Sequence, residues 1–208
     1  MDPIQILMNE HRLIERTLTA LWAYAEQVGT PAAAPADLSR FVQFIRQFAD
    51  AYHHGKEEEI LFAEMVACGF PKEMGPIGVM LAEHDEGRRQ VAILAEEAAQ
   101  IASGATGNPA RITSAARAYV SLLQQHIYKE DNILYPMAET HLPPEVMQRV
   151  MAAFEAFEEQ KENERRQLVA LAGELDERYG QNAGPEAQAP SPCGFCCGEA
   201  PSTHPARG

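Results

Sequence analysis

Apolar residues recur every three or four positions along most of the chain, and no segment shows the strict alternation typical of a β-strand. This spacing places the apolar side chains on one face of an α-helix, so it predicts an all-α protein. Asp2-Pro3 and Asn108-Pro109 each pair a capping side chain with a proline suited to the first turn, which predicts two helix starts. Segments rich in Gly and Pro separate five predicted helices, near residues 3–29, 37–66, 75–103, 108–141 and 142–179.

The order of these segments predicts the architecture. Four helices of similar length with short connections favour an antiparallel, up-down-up-down four-helix bundle, which we expect over residues 1–141. An additional C-terminal helix over residues 142–179 is expected to pack on the bundle or to extend from it. Its centre, Glu158 to Arg166, is almost wholly polar, which predicts a break or a projection there. Residues 180–208 are rich in Gly, Pro, Ala and Ser and are predicted to be a disordered tail.

The composition is that of an acidic protein with a sizeable core. Hydrophobic residues make up 46%, and 17 Lys and Arg face 30 Asp and Glu, for a net charge of −13. Nucleic-acid binding requires Lys and Arg to neutralise phosphates, so this acid excess argues against a nucleic-acid partner and suits a protein that handles cations. No apolar run approaches the roughly 18 residues of a membrane span, and the N-terminus lacks the basic-then-apolar order of a signal peptide. We therefore expect a cytoplasmic protein with no membrane partner.

The cysteines are distributed unevenly. Cys193, Cys196 and Cys197 crowd into the predicted tail, so they do not form a disulfide framework. Their CxxC spacing allows a redox disulfide or part of a metal site, with incidental thiols as the alternative interpretation. Cys68, near the end of the second helix, is expected to be a small packed residue.

The clearest chemical signal is a repeat in which His is followed four residues later by Glu. His53 and Glu57 in the second predicted helix align without gaps with His126 and Glu130 in the fourth, and Ile, Leu and an aromatic residue follow both pairs. Residues four apart stack on one helical face. Each of these two helices therefore presents one imidazole and one carboxylate to the same point.

The first and third helices each add one histidine within an apolar stripe. The six candidate ligands are His11, His53, Glu57, His84, His126 and Glu130. Buried carboxylates are costly unless they are paired or bound to metal, so their convergence in a bundle predicts a metal centre without thiolate ligands. A lone zinc ion needs only about four ligands, and six candidates therefore indicate two metal ions.

Two alternatives concern the identity of the ligands and the class of bundle. His54 and Glu58 have the same spacing as His53 and Glu57, although the ungapped repeat favours the latter pair. Ferritin-like centres rely instead on Glu-x-x-His motifs, in which Glu precedes His by three residues. None of the histidines in this chain has a Glu at that position, so the ferritin-like interpretation is weak.

Carboxylates near the ligands are candidates for outer contacts. A metal-bound histidine usually donates its second ring N–H to an acceptor, and Glu10, Glu83 and Glu86 are near the candidate ligands in the sequence. Glu58 and Glu59 are expected to form a solvated acidic face.

These motifs resemble the hemerythrin-like, HHE cation-binding domain over roughly residues 3–140. The resemblance is carried by His11, HHGKEEEILF at 53–62, EHDEGR at 83–88 and HIYKEDNILYP at 126–136. It implies a four-helix bundle around a non-haem di-iron centre, with two iron ions joined by an oxo or hydroxo bridge. It also implies that the four histidines are terminal ligands and that Glu57 and Glu130 are bridging ligands.

Two positions depart from the oxygen-carrying hemerythrins. Arg88 stands where they have a second histidine on the third helix, and Glu130 stands where they have Asp. The set is closer to members with four His and two Glu, which resemble iron-centre repair, nitric-oxide-response and iron-sensing proteins. Of about twelve coordination positions on two irons, these residues and an oxygen bridge would fill about ten. About two positions would stay open, against one if a fifth histidine were present.

Open positions predict exchange of small ligands and reactivity. The first hypothesis is a di-iron protein that reacts with or senses dioxygen, peroxide or nitric oxide in redox or nitrosative stress. The second is a non-catalytic oxygen- or iron-binding module that a partner protein reads through the fifth helix or the tail. Repeated turnover would identify an enzyme, and reversible binding would identify the module.

Overall fold

The computed structural model describes residues 2–182, whose regular secondary structure is entirely helical. Five long helices follow the predicted order: α1 (Pro3–Gln27), α2 (residues 37–67), α3 (Gly75–Ala102), α4 (residues 109–141) and α5 (Pro144–Tyr179). A short 3₁₀ turn, Gly180–Asn182, continues from α5. The first residues of the predicted disordered tail are thus ordered, whereas Cys193, Cys196 and Cys197 lie outside the described residues.

The predicted helix starts are confirmed by side-chain caps. The Asp2 carboxylate accepts a hydrogen bond from the backbone N–H of Gln5 at 2.8 Å, and the Asn108 side chain accepts one from that of Arg111 at 3.2 Å. Each contact satisfies a backbone donor that has no partner in the first turn of a helix. At the other end of α1, Gly29 adopts a φ of 87°, a left-handed conformation that favours glycine and ends the helix.

The helices pack as an up-down-up-down bundle in which α1 contacts α4, α4 contacts α3, and α3 contacts α2. The fifth helix lies in the groove between α1 and α2 and packs against both. The predicted break or projection at Glu158–Arg166 is wrong, because α5 is one uninterrupted helix of 36 residues. Its polar centre is accommodated because Glu158 turns towards a buried lysine on α2 while Glu159 faces solvent.

Wide π-helical turns interrupt α2 and α4 where the candidate ligands lie. They span Ile45–His54 and Glu57–Leu61 in α2 and Glu130–Leu134 in α4. Within them a backbone N–H reaches the carbonyl five residues earlier, as from Phe62 to Glu57 and from Tyr135 to Glu130. Such turns hold more residues than an α-helical turn, so consecutive side chains diverge less around the axis. The uniform helical period expected from the sequence is therefore locally replaced.

Two apolar clusters enclose a polar layer across the bundle. The larger cluster contains Leu18, Phe48 and Leu94, and the smaller one contains Leu7, Leu61 and Met80. The candidate ligands lie between these clusters along each helix, as His11 does between Leu7 and Ile14. The fold thus places polar side chains in the most dehydrated part of the molecule.

Two further findings concern the surface. Cys68 is exposed, so its predicted packing is wrong: it lies where α2 gives way to a surface turn at Gly69, whose φ is 100°. None of the helices within residues 2–182 combines the length and the apolar character needed to cross a membrane.

Candidate metal centre

The structure brings all six predicted ligands together and adds His54. The seven side chains come from four helices: His11 from α1, His53, His54 and Glu57 from α2, His84 from α3, and His126 and Glu130 from α4. Every one of them is buried, with at most 5% of its surface exposed. The predicted pattern of spacing therefore does converge on one point inside the bundle.

The donor atoms form two groups that share Glu57. One contains His11, His53, Glu57 and Glu130, and the other contains His54, Glu57, His84 and His126; within each group the donor atoms lie within 4.8 Å of one another. Each group has the size and the mixed nitrogen and oxygen donors of a site for one metal ion.

Both glutamates lie between the two groups. Oε1 of Glu57 is 3.7 Å from Nε2 of His53, and Oε2 of the same carboxylate is 3.6 Å from Nε2 of His84. Oε2 of Glu130 is 3.2 Å from Nε2 of both His11 and His126. Each carboxylate thus faces one histidine from either group, which is the placement required of a bridging ligand.

Several buried polar atoms at the centre have no hydrogen-bond partner within the described residues. They are Nε2 of His53, Oε2 of Glu57 and both carboxylate oxygens of Glu130. A buried polar group without a partner costs on the order of 1–3 kcal/mol, and more if it is charged. Nε2 of His84 also lies only 3.0 Å from Nε2 of His126. A pair of cations at this point would satisfy all of these atoms, so the residues fit a two-metal centre.

All five histidines use their other nitrogen, Nδ1, to contact a carboxylate. The distances are 2.7 Å from His11 to Asp131, 2.9 Å from His53 to Glu10, 3.4 Å from His54 to Asp50, 2.7 Å from His84 to Glu58 and 3.0 Å from His126 to Glu83. We call these five acidic residues the outer carboxylates. An ionised carboxylate only accepts hydrogen bonds, so Nδ1 donates and Nε2 is left for a metal ion.

Four of the outer carboxylates link the helices in a ring. Each is the sequence neighbour of a ligand on its own helix and holds a histidine on the next: Glu10 of α1 holds His53 of α2, Glu58 of α2 holds His84 of α3, Glu83 of α3 holds His126 of α4, and Asp131 of α4 holds His11 of α1. The ring orients one imidazole from every helix of the bundle.

Each outer carboxylate also forms an ion pair with a lysine or arginine. Arg12 pairs with Asp131, Lys56 with Glu10, Lys129 with Glu83, and Arg88 with both Asp50 and Glu58. These cations favour the ionised form of the carboxylates, and the pKa of Glu58 falls to about 2 because its contacts with His84 and Arg88 outweigh the opposing effect of burial. At Glu10 burial prevails over the opposing effect of Lys56 and raises the pKa to about 7.

Without metal, the pKa values of neighbouring side chains at the centre are shifted in opposite directions. Burial alone would lower the pKa of both His11 and His126, but hydrogen bonds to Asp131 and Glu83 and the nearby negative charge of Glu130 raise them to about 9 and about 10. Burial and the neighbouring Glu130 raise the pKa of Glu57, whereas burial lowers that of His54 to about 3 with help from His84. Without metal, His11 and His126 therefore hold protons at neutral pH.

Tyr135 is a site residue that the sequence did not reveal. It is buried, and its hydroxyl donates to Oε1 of Glu57 at 2.5 Å while lying 3.4 Å from Nε2 of His11. In the sequence it was only the aromatic residue that follows the His126–Glu130 repeat. Its counterpart after the other repeat, Phe62, has no hydroxyl, so the repeat itself carried no signal for this contact.

A cavity of about 160 Å³ lies beside the second group of ligands. Its lining includes His54, His84, Gly87, Arg88 and Tyr119. Arg88 is partly exposed, so the cavity connects the neighbourhood of two histidines with the surface. Tyr119, which lies two turns before His126 on the same helix, is buried in this wall.

The outer carboxylates were only partly predictable. Glu10 and Glu83 have the predicted role, but Glu86 instead accepts a hydrogen bond from Arg89 away from the centre. The expectation that Glu58 belongs to a solvated face is wrong, because it contacts His84; Glu59 is exposed as expected. An acidic residue directly next to a ligand in the sequence is the signal that would have found four of the five, namely Glu10, Glu58, Glu83 and Asp131.

Comparisons with known proteins agree with this centre. The family described as Hemerythrin HHE cation binding domain matches residues 2–138. Uncharacterised proteins of Mycobacterium tuberculosis and Mycobacterium bovis are 32% identical over 139 residues, which cover 62% of this chain and 51% of each relative. The iron-sulfur cluster repair protein YtfE of Yersinia pseudotuberculosis is 30% identical over 118 residues, which cover 55% of this chain and 51% of that protein. The chain thus spans about half the length of these relatives. No solved structure matches it significantly.

Proposed function

The chain belongs to the hemerythrin HHE cation-binding family, and we propose that it holds two iron ions and reacts with or senses dioxygen, peroxide or nitric oxide. An iron-binding, hemerythrin-like role follows from the family and from the His and Glu groups. The number of ions, the small molecule and a role in redox or nitrosative stress are our proposal.

One observation carries the proposal for two ions. Glu57 directs one oxygen towards His53 and the other towards His84, which belong to different donor groups. A single ion would leave one of these groups with buried and unsatisfied nitrogen atoms. Iron suits this set because imidazole and carboxylate ligands without thiolates are typical of non-haem iron sites.

The seven residues also limit what else can bind. Five histidines fill five positions, and two bridging carboxylates fill four of the roughly twelve that two six-coordinate ions offer. If a bridging oxygen fills two more, one position remains instead of the two predicted from four histidines. Two irons held by these residues would therefore offer one exchangeable position to a small molecule. One open position is enough to bind or sense a small molecule, whereas coordinating two substrates would need two.

By the same count the second donor group, with three histidines, both glutamates and the oxygen bridge, would be full, so the open position belongs to the first group, which shares Glu57 with it. The cavity lined by His54, His84, Gly87 and Tyr119 reaches the second donor group from the surface beside Arg88. Its volume of about 160 Å³ exceeds that of a single water, whose share of liquid volume is about 30 Å³. Small neutral molecules therefore fit in this cavity and approach the centre from the side of the second donor group.

The experiment is anaerobic loading with ferrous iron, followed by metal analysis and optical spectra as air, nitric oxide or peroxide is admitted and removed. We expect two irons per chain and a spectral change with at least one of the three molecules. Reversal on removal indicates a sensor or binding module, and repeated consumption indicates an enzyme. Zinc in preference to iron, or one iron per chain, would contradict the proposal.

The contribution of the fifth histidine is tested with His54→Ala, compared with His141→Ala. His54 contributes to a donor group, whereas His141 is an exposed residue at the end of α4. We expect His54→Ala to weaken binding of one iron and His141→Ala to leave both in place. Unchanged iron binding in both variants would mean that His54 is not a ligand and that four histidines bind the iron.

A further inference from the structure

We propose that Lys56 and Glu158 are positioning residues for His53, through which the fifth helix becomes part of the metal centre. The inference rests on the proposed iron centre and adds a helix beyond the four that supply ligands. Glu158 lies outside residues 2–138, to which the family match extends. The connection is therefore a property of the C-terminal helix of this chain.

Lys56 is the first part of the connection. It is fully buried, and its ammonium group contacts Oε1 of Glu10 and, at 2.7 Å, Oε1 of Glu158. The same group lies 4.5 Å from the centre of the Tyr52 ring and 5.2 Å from that of Phe154. Lys56 thus bridges α1 and α5 from its place on α2.

Glu10 transmits this contact to the centre. One of its oxygens is held by Lys56, and the other accepts the hydrogen bond from Nδ1 of His53 at 2.9 Å. Because both oxygens are occupied, the position of the ammonium group determines the orientation of the carboxylate and hence of the imidazole ring. Outer hydrogen bonds of this kind set the direction and basicity of a metal-binding histidine.

The other cations behind the outer carboxylates differ in two respects. Arg12, Arg88 and Lys129 expose 54%, 39% and 29% of their side chains, whereas Lys56 exposes none. They also lie on α1, α3 and α4, and within the described residues their carboxylate partners belong to the four helices of the bundle. Solvent screens exposed ion pairs far more than buried ones. Among these pairs of a cation and an outer carboxylate, the pair that holds His53 is therefore the one that depends on the docking of α5.

Glu158 is the residue that makes α5 necessary. Without the Glu158 carboxylate, Glu10 would be the remaining anionic partner of the buried Lys56 ammonium group among the described residues. The attraction between Lys56 and Glu10 would then be stronger, and the Glu10 carboxylate would shift. Iron bound by His53 and the docking of α5 are then coupled in both directions, because coupling between two equilibria is reciprocal. Loading with iron is expected to protect α5 from hydrogen exchange, and displacement of α5 is expected to weaken one iron site.

The decisive variant is Glu158→Gln, with the exposed neighbour Glu159→Gln as its matched control. Both lose one negative charge from adjacent positions of the same helix, but only the first loses the contact with Lys56. Mössbauer spectra of the ⁵⁷Fe-loaded proteins and competition with a chelator would report each iron separately. We expect Glu158→Gln to shift one of the two iron signals and to weaken that iron by about tenfold, the lower end of the range for outer contacts. Glu159→Gln should match the unaltered protein.

A second variant, Lys56→Met, keeps an apolar stem of four atoms beyond Cα and removes the ammonium group. It should perturb the same iron signal as Glu158→Gln, while far-ultraviolet circular dichroism of the metal-free proteins checks that each remains folded. Two unchanged signals in Glu158→Gln would overturn the inference, as would equal changes in both signals, which indicate a general loss of structure. Absence of two irons in the unaltered protein would instead contradict the proposed function, so the two failures are distinguishable.

Discussion

At the level of single residues, the two ring nitrogens of each histidine at the centre have different partners. Nδ1 contacts an outer carboxylate and Nε2 contributes to a donor group, for all five rings. The two glutamates use their oxygens between the groups. Such a set is unfavourable in a core without metal, because buried charges and unsatisfied donors oppose folding.

Substitution of Glu57 and Glu130, the proposed bridging ligands, tests this division directly. We expect Glu57→Ala or Glu130→Ala to weaken iron binding by at least about 100-fold, the upper end of the range for mere outer contacts. Glu59→Ala is the control, because Glu59 adjoins the same motif but is exposed. Iron is counted per chain after gel filtration of proteins loaded in parallel. Equal iron in all three variants would refute the assignment of the bridges.

Protons compete with metal at this centre. The pKa of His11 is raised to about 9 and that of His126 to about 10, so both must lose a proton before they bind metal at neutral pH. Affinity should therefore rise with pH from 7 towards 9, by about tenfold per unit for an ion that displaces one proton. Chelator competition with ferrous iron at several pH values, without oxygen, measures this slope. An affinity that does not change above pH 7 would contradict it.

At the scale of elements, the helices determine which side chains reach the centre. The π-helical turns of α2 bring two consecutive residues, His53 and His54, into different donor groups. The ring of outer carboxylates then relates each helix of the bundle to the next. Between α3 and α4, Gly87 leaves room for the cavity, since a Cβ there would lie 3.4 Å from the ring of Tyr119.

Enlarging Gly87 should narrow this cavity and slow the approach of small molecules to the centre. We expect Gly87→Leu to leave iron content unchanged and to slow the binding of nitric oxide or azide by about tenfold, a barrier increase of about 1.4 kcal/mol. Stopped-flow absorbance gives the rates. Gly173→Ala on α5 is the control, because a Cβ there has nothing within 4 Å. Unchanged binding rates in Gly87→Leu would mean that ligands enter elsewhere.

At the scale of the whole molecule, the centre is a polar layer between two apolar clusters. The larger and smaller clusters are each continuous on their own side, and α5 contributes to both through Leu168 and Phe154. The layer that joins them is made of ionisable groups, whose repulsion and desolvation metal ions would relieve. Metal should therefore act as a cross-link among all four helices of the bundle.

Removal of metal should consequently lower the thermal stability of the whole protein. A ligand at about 100 times its dissociation constant stabilises the folded state by about 2.7 kcal/mol. For a chain of this size that corresponds to roughly 5–10 °C in Tm. Differential scanning calorimetry before and after treatment with a chelator, and after reloading with iron, measures the change. A Tm that is independent of metal would show that the polar layer is stable by itself.

Features that depend on local geometry could be predicted from the amino-acid sequence. Helical period, the caps at Asp2 and Asn108, and the i, i+4 spacing of His53 with Glu57 follow from bonds within one helix. These features predicted the all-α bundle and six of the seven side chains of the centre. The resemblance of the same motifs to a known family is confirmed by the match over residues 2–138.

The tertiary structure decided the features that depend on how neighbouring helices are rotated and offset. The inclusion of His54, the contact of Glu58 with His84 and the hydroxyl of Tyr135 at Glu57 all join side chains from different turns or helices. The sequence left open whether α5 packs on the bundle or extends from it, because a polar centre predicts exposure unless a buried cation such as Lys56 lies opposite it. Periodicity specifies the inward face of a helix, whereas contacts within hydrogen-bond distance require the register between helices, which packing alone sets.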